Sequence, residues 1–468
     1  MTNILTHLMP LLWRAVLVGL VFLVVVVLVK LLLKKSNITS GEHKKLKVKN
    51  TLKGSGLTIS NHPDGFIFGL KGNKKVYQSY KAEGHIGIFG GSGLGKTAAL
   101  LIPTLRVWLG SFFCIDISGD ISKNVECEKK CILAPDDPEH SMIYNVFDEI
   151  DKEKDPDEQR EKLEQLVNLM VPLPPTARDA QEYFLRTARK IFLAGMLFYF
   201  DLGYDFVEIC KTVFFATVTG LCHTILEGDN ELCKGYVRSL AGEKEENVNG
   251  AKSTLNDCIK IFADNHKMAQ ILRRPNSKSE PYIAPEDLEE AQIFLVVPDK
   301  KQEYYSLFMN LVVSQMLDYI SGRQYDRNKD KRILLALDEF ASLRHLEILG
   351  PLRKFRKNGC NICLLTQSLA DLDLVYGEKE RKVILDNTAY TVVLSARDND
   401  TKRYFSEMVG KEDAAKRSTT SSSHGGSTST SYAEEYAIPL TEWSNLGDNL
   451  IVIHRTGYVR LNKNFYFK

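Results

Sequence analysis

No charge sign dominates this chain, its cysteines form no even framework, and only one stretch of its 468 residues is apolar for long. Lys and Arg number 61 against 59 Asp and Glu, so bulk charge singles out no polyanionic partner, and any nucleic acid would have to be held by a local basic surface. Nine cysteines, with only Cys127/Cys131 and Cys360/Cys363 close together, exclude a disulfide scaffold and read as reduced, cytosolic thiols. A zinc site wants two such pairs with partners at tetrahedral spacing, whereas Cys360 and Cys363 open an apolar run that reads as a buried strand. A Leu-Ser-Gly-Gly-Gln signature is missing, which together with a single apolar span argues against an ABC transporter. What is present is an ordinary apolar share, 44%, on a chain long enough to build the cores of two or three domains.

The long apolar run is Ala15 to Val29, and it extends to Leu11 and Leu33 once Arg14 and Lys30 carry their charges outward along apolar stems. As a helix, residues 11–33 rise about 35 Å, enough to cross a hydrocarbon core of about 30 Å. The run is longer than the core of a signal peptide, and Lys34-Lys35-Ser36 follows it in place of a small-residue cleavage site. A retained membrane anchor is therefore expected over residues 1–40. Eight lysines between Lys30 and Lys53 follow the run while Arg14 alone precedes it, so the positive-inside bias predicts a single-pass protein of the cell (inner) membrane with its bulk in the cytoplasm.

From residue 41, short β-like pieces such as Gly65 to Gly69 lead into Ile86 to Phe89. Strand candidates Phe112 to Ile115, Ile293 to Val297, Ile333 to Leu337, Ile362 to Thr366 and Thr391 to Leu394 then alternate with helical stretches. Such alternation predicts an α/β nucleotide-binding domain, a mostly parallel sheet wrapped by helices, in two parts, 41–154 and 282–468. Over 155–281 the strand signal stops and helical periodicity takes over, as in Tyr183 to Phe200 and Ala251 to Phe262. That stretch is far too long for one crossover and is expected to be an inserted all-α domain. Residues 418–431, nearly all Ser, Thr and Gly, have little to bury and are expected to form a flexible loop. Strand-like sequence from Asn449 to Phe467 should bring the chain back onto the sheet.

The chemistry is concentrated in a few segments. Gly90, Gly91, Ser92, Gly93, Leu94, Gly95, Lys96 and Thr97 form a complete phosphate-binding loop (Walker A) between an apolar strand and a helix-like run. Glycines let successive backbone N–H groups turn toward phosphates, Lys96 reaches the terminal phosphates of ATP, and Thr97 takes a Mg²⁺ position. Arg332 to Glu339 reads as an apolar strand (Walker B) delivering two carboxylates at its C-terminal end, with Asp338 holding Mg²⁺ and Glu339 polarising the attacking water. Gln367 ends another apolar run and is placed either to sense the γ-phosphate and orient water or merely to cap the strand end. Arg356 sits among lysines, where it is a solvated cation or supplies positive charge to a neighbouring subunit's site. Asp116 to Asp120 follows a strand and serves the nucleotide or only a tight turn.

These residues resemble the TraG/TraD-type coupling proteins of conjugation and type IV secretion, within the wider RecA-like class of FtsK and HerA motors. The likeness rests on Gly90 to Thr97 with Ile102-Pro103, Leu337 to Leu343, Arg356 to Gly359 with Gln367 to Leu369, and Asp400-Thr401 with Ser406 to Gly410. It departs at Ser118 and Asp120, where the family usually has Lys and Glu, and in showing one apolar span where two are common. The resemblance implies a RecA-like fold, a hexameric ATP- and Mg²⁺-dependent ATPase, and a channel passing single- or double-stranded DNA. The partners it implies are a relaxase or relaxosome, type IV secretion channel components, the membrane and further copies of the chain. An FtsK/HerA-like DNA translocase, or a substrate receptor whose nucleotide drives only assembly, stands as the alternative.

Overall fold

The computed structural model describes residues 47–174, 177–422 and 425–467. The anchor expected at 11–33 lies outside them, and among the described residues no helix is long and apolar enough to cross a membrane. The described residues form sixteen strands, numbered in chain order: β1 (Thr58–Ser60), β2 (Phe66–Lys71), β3 (Lys74–Gln78), β4 (His85–Phe89), β5 (Ser111–Asp116), β6 (Lys130–Leu133), β7 (Ile143–Tyr144), β8 (Tyr282–Ile283), β9 (Gln292–Val296), β10 (Ile333–Leu337), β11 (Cys360–Thr366), β12 (Thr388–Val393), β13 (Lys411–Ser422), β14 (Gly425–Tyr436), β15 (Asn449–His454) and β16 (Gly457–Asn462).

Twelve of these form one sheet in the order β1-β3-β2-β16-β15-β12-β4-β11-β10-β5-β9-β6. The stretch from β12 to β6 is wholly parallel, and the strands from β15 outward to β1 are antiparallel. The parallel strands are the apolar runs of the sequence, buried on both faces as such strands must be. Alternation sorts their side chains to two cores: Cys360, Ile362 and Leu364 of β11 join one, Cys363 and Leu365 the other. Cys360 and Cys363 therefore face opposite sides of the sheet and cannot share a ligand, and all nine cysteines are free thiols. The closing strands β15 and β16 bring the late sequence back beside β12 and β2.

Between 155 and 281 the described residues form seven helices, from Pro156–Met170 to His266–Ile271. Their starts are written in local chemistry. Asp155 caps the first with Pro156 at its opening position, Asp205 and Glu208 form a capping box, and Asn230 and Asn265 each accept two backbone N–H groups. Long apolar faces on Asp179–Asp201 and Glu245–Ala263 pack on each other. Their core runs on without a break into the sheet face lined by Phe113, Leu335 and Ile362 and covered by the helix Gln302–Gly322.

Residues Val48–Gly410 and Tyr436–Lys468 make one compact unit, while Lys411–Glu435 fall in a second. The Ser/Thr-rich segment differs from the expected loop, because β13 and β14 pair as a two-stranded ribbon. Its lack of apolar side chains forbids a core but not backbone pairing, and Thr-rich sequence is well suited to extended structure.

Candidate nucleotide site

Three neighbouring strand ends build the site. β4 ends at Phe89 and runs into the glycine-rich loop, β11 ends at Thr366 beside it, and β10 ends at Leu337 on the far side of β11. The register sets Thr366 opposite Phe89, and Gly90 N donates to Thr366 O at 3.3 Å, so Gln367 emerges next to the loop. Gln367 thus lies between the two halves of the site, a placement that follows from strand order and cannot be read along the chain.

In the loop, Gly93 and Gly95 adopt left-handed backbone angles, φ 75° and 95°. A Cβ at Gly93 would meet nothing within 4 Å, whereas one at Gly95 would come 2.8 Å from the ring of Phe465. The loop is thus open above Gly93 and held from behind by the returning chain, where Tyr466 N also donates to Ala98 O. The following helix begins with one wide turn over Lys96–Leu101 and tightens at Ile102–Leu105, where Pro103 cannot donate a backbone hydrogen bond.

The side chains converge across this edge. Lys96 is buried, donates to Gly90 O at 2.7 Å and lies 3.7 Å from Glu339 Oε1. Thr97 Oγ1 donates to Asp338 Oδ2 at 3.2 Å, and Gln367 Nε2 reaches Glu339 Oε2 at 3.4 Å. Glu339 has left-handed angles, φ 47° and ψ 48°, which turn its carboxylate off the strand axis and toward Lys96. For a non-glycine residue such a conformation is strained and persists only where its surroundings hold it. Burial pushes the Asp338 carboxyl up to about 6, with the Glu339 charge adding and Lys96 opposing.

A carboxylate desolvated in this way, hydrogen-bonded to the hydroxyl of Thr97 and facing an open glycine loop, suits a divalent cation better than it suits an empty interior. The residues expected to hold ATP and Mg²⁺ therefore fit that pair. Lys96, Thr97, Asp338, Glu339 and Gln367 are brought together.

Arg356 is not with them. It lies before β11, at the opposite edge of the sheet, where its Nη2 donates to Asn387 O at 3.0 Å and its Nε is buried without a partner. Asp116 ends β5, the strand beside β10, and its fully buried carboxylate is taken up locally: it accepts from Ile121 N and Ser122 N and so caps the short helix Asp120–Asn124. Sequence reasoning missed Asn310 on the helix Gln302–Gly322, whose Nδ2 donates to Leu343 O and His345 O and pins the turn after Glu339. The nearby Ser306 accepts from Arg344 Nε at 2.8 Å, and Arg344 is itself at φ 58°. A buried asparagine within the apolar run Leu307 to Val313 was the available signal.

A family model described as the type IV secretion-system coupling protein DNA-binding domain matches residues 76–465. The chain belongs to this family. Among its relatives, the protein VirD4 of Agrobacterium fabrum is 23% identical over 77% of this chain and 55% of its own length. The conjugal transfer protein TraG of the same organism is 24% identical over 69% of this chain and 50% of its own. The chain thus spans about half the length of the curated relatives it matches. Among solved structures, the unbound bacterial conjugative coupling protein TrwBdeltaN70 superposes with a TM-score of 0.64 at 20% identity, covering 81% of this chain and 84% of that one. The plasmid coupling protein TrwB in complex with ADP and Mg²⁺ gives 0.62 at 18% identity, over 81% and 85%. The coupling-protein domain accordingly shares the large mixed sheet of these structures.

Proposed function

We propose that this chain is the motor portion of a coupling protein: a P-loop ATPase that binds ATP and Mg²⁺, works as a homo-hexameric ring, and passes DNA or a relaxase–DNA or protein substrate into a type IV secretion channel. The observation that carries the proposal is the meeting of Lys96, Gln367 and the Asp338/Glu339 pair at the ends of β4, β11 and β10. TrwB, with the same fold, has been crystallised with ATP and GTP analogues and with ADP and Mg²⁺.

Bound there, ATP with Mg²⁺ supplies a terminal phosphoryl group that can pass to water with its developing charge shared by the cation. Lys96 exchanges its Gly90 carbonyl for phosphate oxygens, and Thr97 and Asp338 hold the cation's side of the site. Glu339, aimed by its backbone and by Gln367, orients a water and accepts its proton. Gln367 touches Glu339 and faces the loop, so it reports the presence of the terminal phosphate to β11. Arg356 supplies its charge to the site of an adjacent subunit, since it cannot reach its own.

The apolar run 11–33 anchors the chain in the membrane, and the helices within 155–281 take the protein part of the substrate. Lys96→Ala tests the core of the proposal. It should abolish ATP hydrolysis and plasmid transfer while the protein stays in the membrane fraction, and hydrolysis surviving near the wild-type rate would remove the site assignment. Plasmid transfer unaffected by loss of the gene, with hydrolysis intact, would favour a chromosomal translocase of the FtsK/HerA kind.

A further inference from the structure

The last described residues of the chain return to the phosphate loop, and a gap in the helix behind that loop fastens them there. In a wide turn a carbonyl is met by the N–H five residues on, as Thr97 O is by Ile102 N. Ala98 O would fall to Pro103, which has no N–H, and Tyr466 N takes it instead at 3.1 Å. Arg106 adds a second hold: its guanidinium lies 5.0 Å from the centre of the Tyr466 ring, and its Nη1 donates to Tyr466 O at 3.4 Å. On the other side of Tyr466, the ring of Phe465 packs against Gly95.

Held in this way, Phe467 stands 64% exposed, its ring 5.3 Å from that of Phe465 at 30° and 5.2 Å from that of Tyr466 at 81°. A single exposed ring on a protein surface is ordinary. This one is backed by a second ring and tied through its neighbours to the phosphate loop, which gives it a fixed place beside the site.

Strand order decides which end of a nucleotide it would meet. β10, with Asp338 and Glu339 at its end, lies two places from β4 on one side, whereas β16, which leads into the tail, lies three places from β4 on the other. In a phosphate-binding loop the backbone N–H groups take the inner phosphates and the lysine the outer ones. Lys96, Glu339 and Gln367 therefore mark the terminal phosphate. The nucleoside leaves the loop on the side away from β10, where the tail returns to Gly95 and Ala98.

We propose that Phe467 is the platform on which the base of the bound nucleotide stacks, with Phe465 backing it. The inference rests on the ATP reading of the site. A ring face stacks on any base and reads none of the donors and acceptors along its edge. The platform therefore adds affinity at the nucleoside end and chooses little between adenine and guanine.

The test is calorimetric titration of the full chain with Mg²⁺ and the β,γ-imido analogues of ATP and GTP, with ribose 5′-triphosphate as the base-free probe. The two analogues should bind within about threefold of each other, and the base-free probe about tenfold more weakly. Phe467→Ala should weaken both analogues about tenfold, to the level of the base-free probe, and leave that probe unchanged. Phe467→Trp should keep the original affinities. Equal weakening of the base-free probe by Phe467→Ala would make the tail a brace for the loop and overturn the platform. Unchanged affinity for both analogues, or a preference for one purine beyond about tenfold, would overturn it too. Should the unmodified chain bind neither the analogues nor the base-free probe, the ATP reading falls and takes the platform with it. Binding of all three that Lys96→Ala abolishes and Phe467→Ala leaves untouched keeps the ATP reading and overturns the platform alone.

Discussion

At the C-terminal edge of the parallel strands, acidic side chains crowd together: Asp338 is buried, Glu339 is strained, and Lys96 is the one cation between them and the loop carbonyl. At the N-terminal edge the signs are reversed. Arg332 is fully buried with no carboxylate at salt-bridge distance among the described residues, and it makes do with Asn361 Oδ1, Arg356 O and the ring of Tyr325. His85, beside both arginines, is held neutral, its pKa lowered to about 3 by burial and then by the charge of Arg356. The difference teaches which edge is built for what. Excess negative charge at the C-terminal edge calls for a cation and anchors chemistry there, as ligands of parallel sheets generally bind. Excess positive charge at the other edge calls for an anion from outside the subunit.

The largest effect expected from breaking this contrast is at Glu339. Glu339→Gln fills the same space but cannot take a proton, so hydrolysis should fall by roughly two to four orders of magnitude while ATP affinity is kept. Nucleotide binding and single-turnover hydrolysis measured side by side would check this, and loss of binding would make Glu339 structural.

Arg356→Ala removes the opposite charge at the opposite edge and should cost hydrolysis about a hundredfold in homo-oligomers, provided that each site borrows its neighbour's arginine. Rings mixed from Arg356→Ala and Glu339→Gln subunits then contain some whole sites, and part of the rate should return in proportion to mixing. No recovery in verified mixed rings would confine Arg356 to holding Asn387 and β12.

Asp338→Asn sharpens the contrast in stability terms. The folded carboxyl titrates near 6 and an ordinary one near 3.8, so folding favours its protonated form. The nucleotide-free protein should therefore be penalised as pH rises through that interval, and the whole penalty is present at neutral pH. Asparagine removes it, raising stability at pH 7 by about 1–3 kcal/mol and flattening this part of the pH dependence, while the response to Mg²⁺ is lost. Thermal unfolding with and without Mg²⁺ at pH 5 and pH 7 would show both.

The smallest effect is at Ser368, whose Oγ accepts from Asp371 N and caps the helix after Gln367. Ser368→Ala should cost about 1 kcal/mol of stability and slow hydrolysis only slightly, measured by denaturant unfolding and steady-state rate.

Much of this was legible in the chain. Six buried strands of the parallel sheet, the glycine loop and the acidic strand end are local signals, carried by contiguous apolar runs and by residue types with one plain use. The helical run was visible too, because caps such as Asp155 and the Asp205/Glu208 box are local. Pairing was harder to see. The ribbon β13–β14 follows from backbone hydrogen bonds, which composition does not record.

The sequence by itself determined the chemical inventory: a lysine and threonine for phosphate and cation, two adjacent carboxylates, and a glutamine at a strand end. Only the tertiary structure decided how they meet. Strand order sets β11 between β4 and β10 and so brings Gln367 against Glu339. Packing of the helix Gln302–Gly322 supplies Asn310 to fix the turn behind it, and chain direction sends Arg356 to the far edge. The physical reason is that residue type is a local property, while a strand's neighbours are chosen by how a whole sheet buries both its faces, which no short stretch of sequence contains.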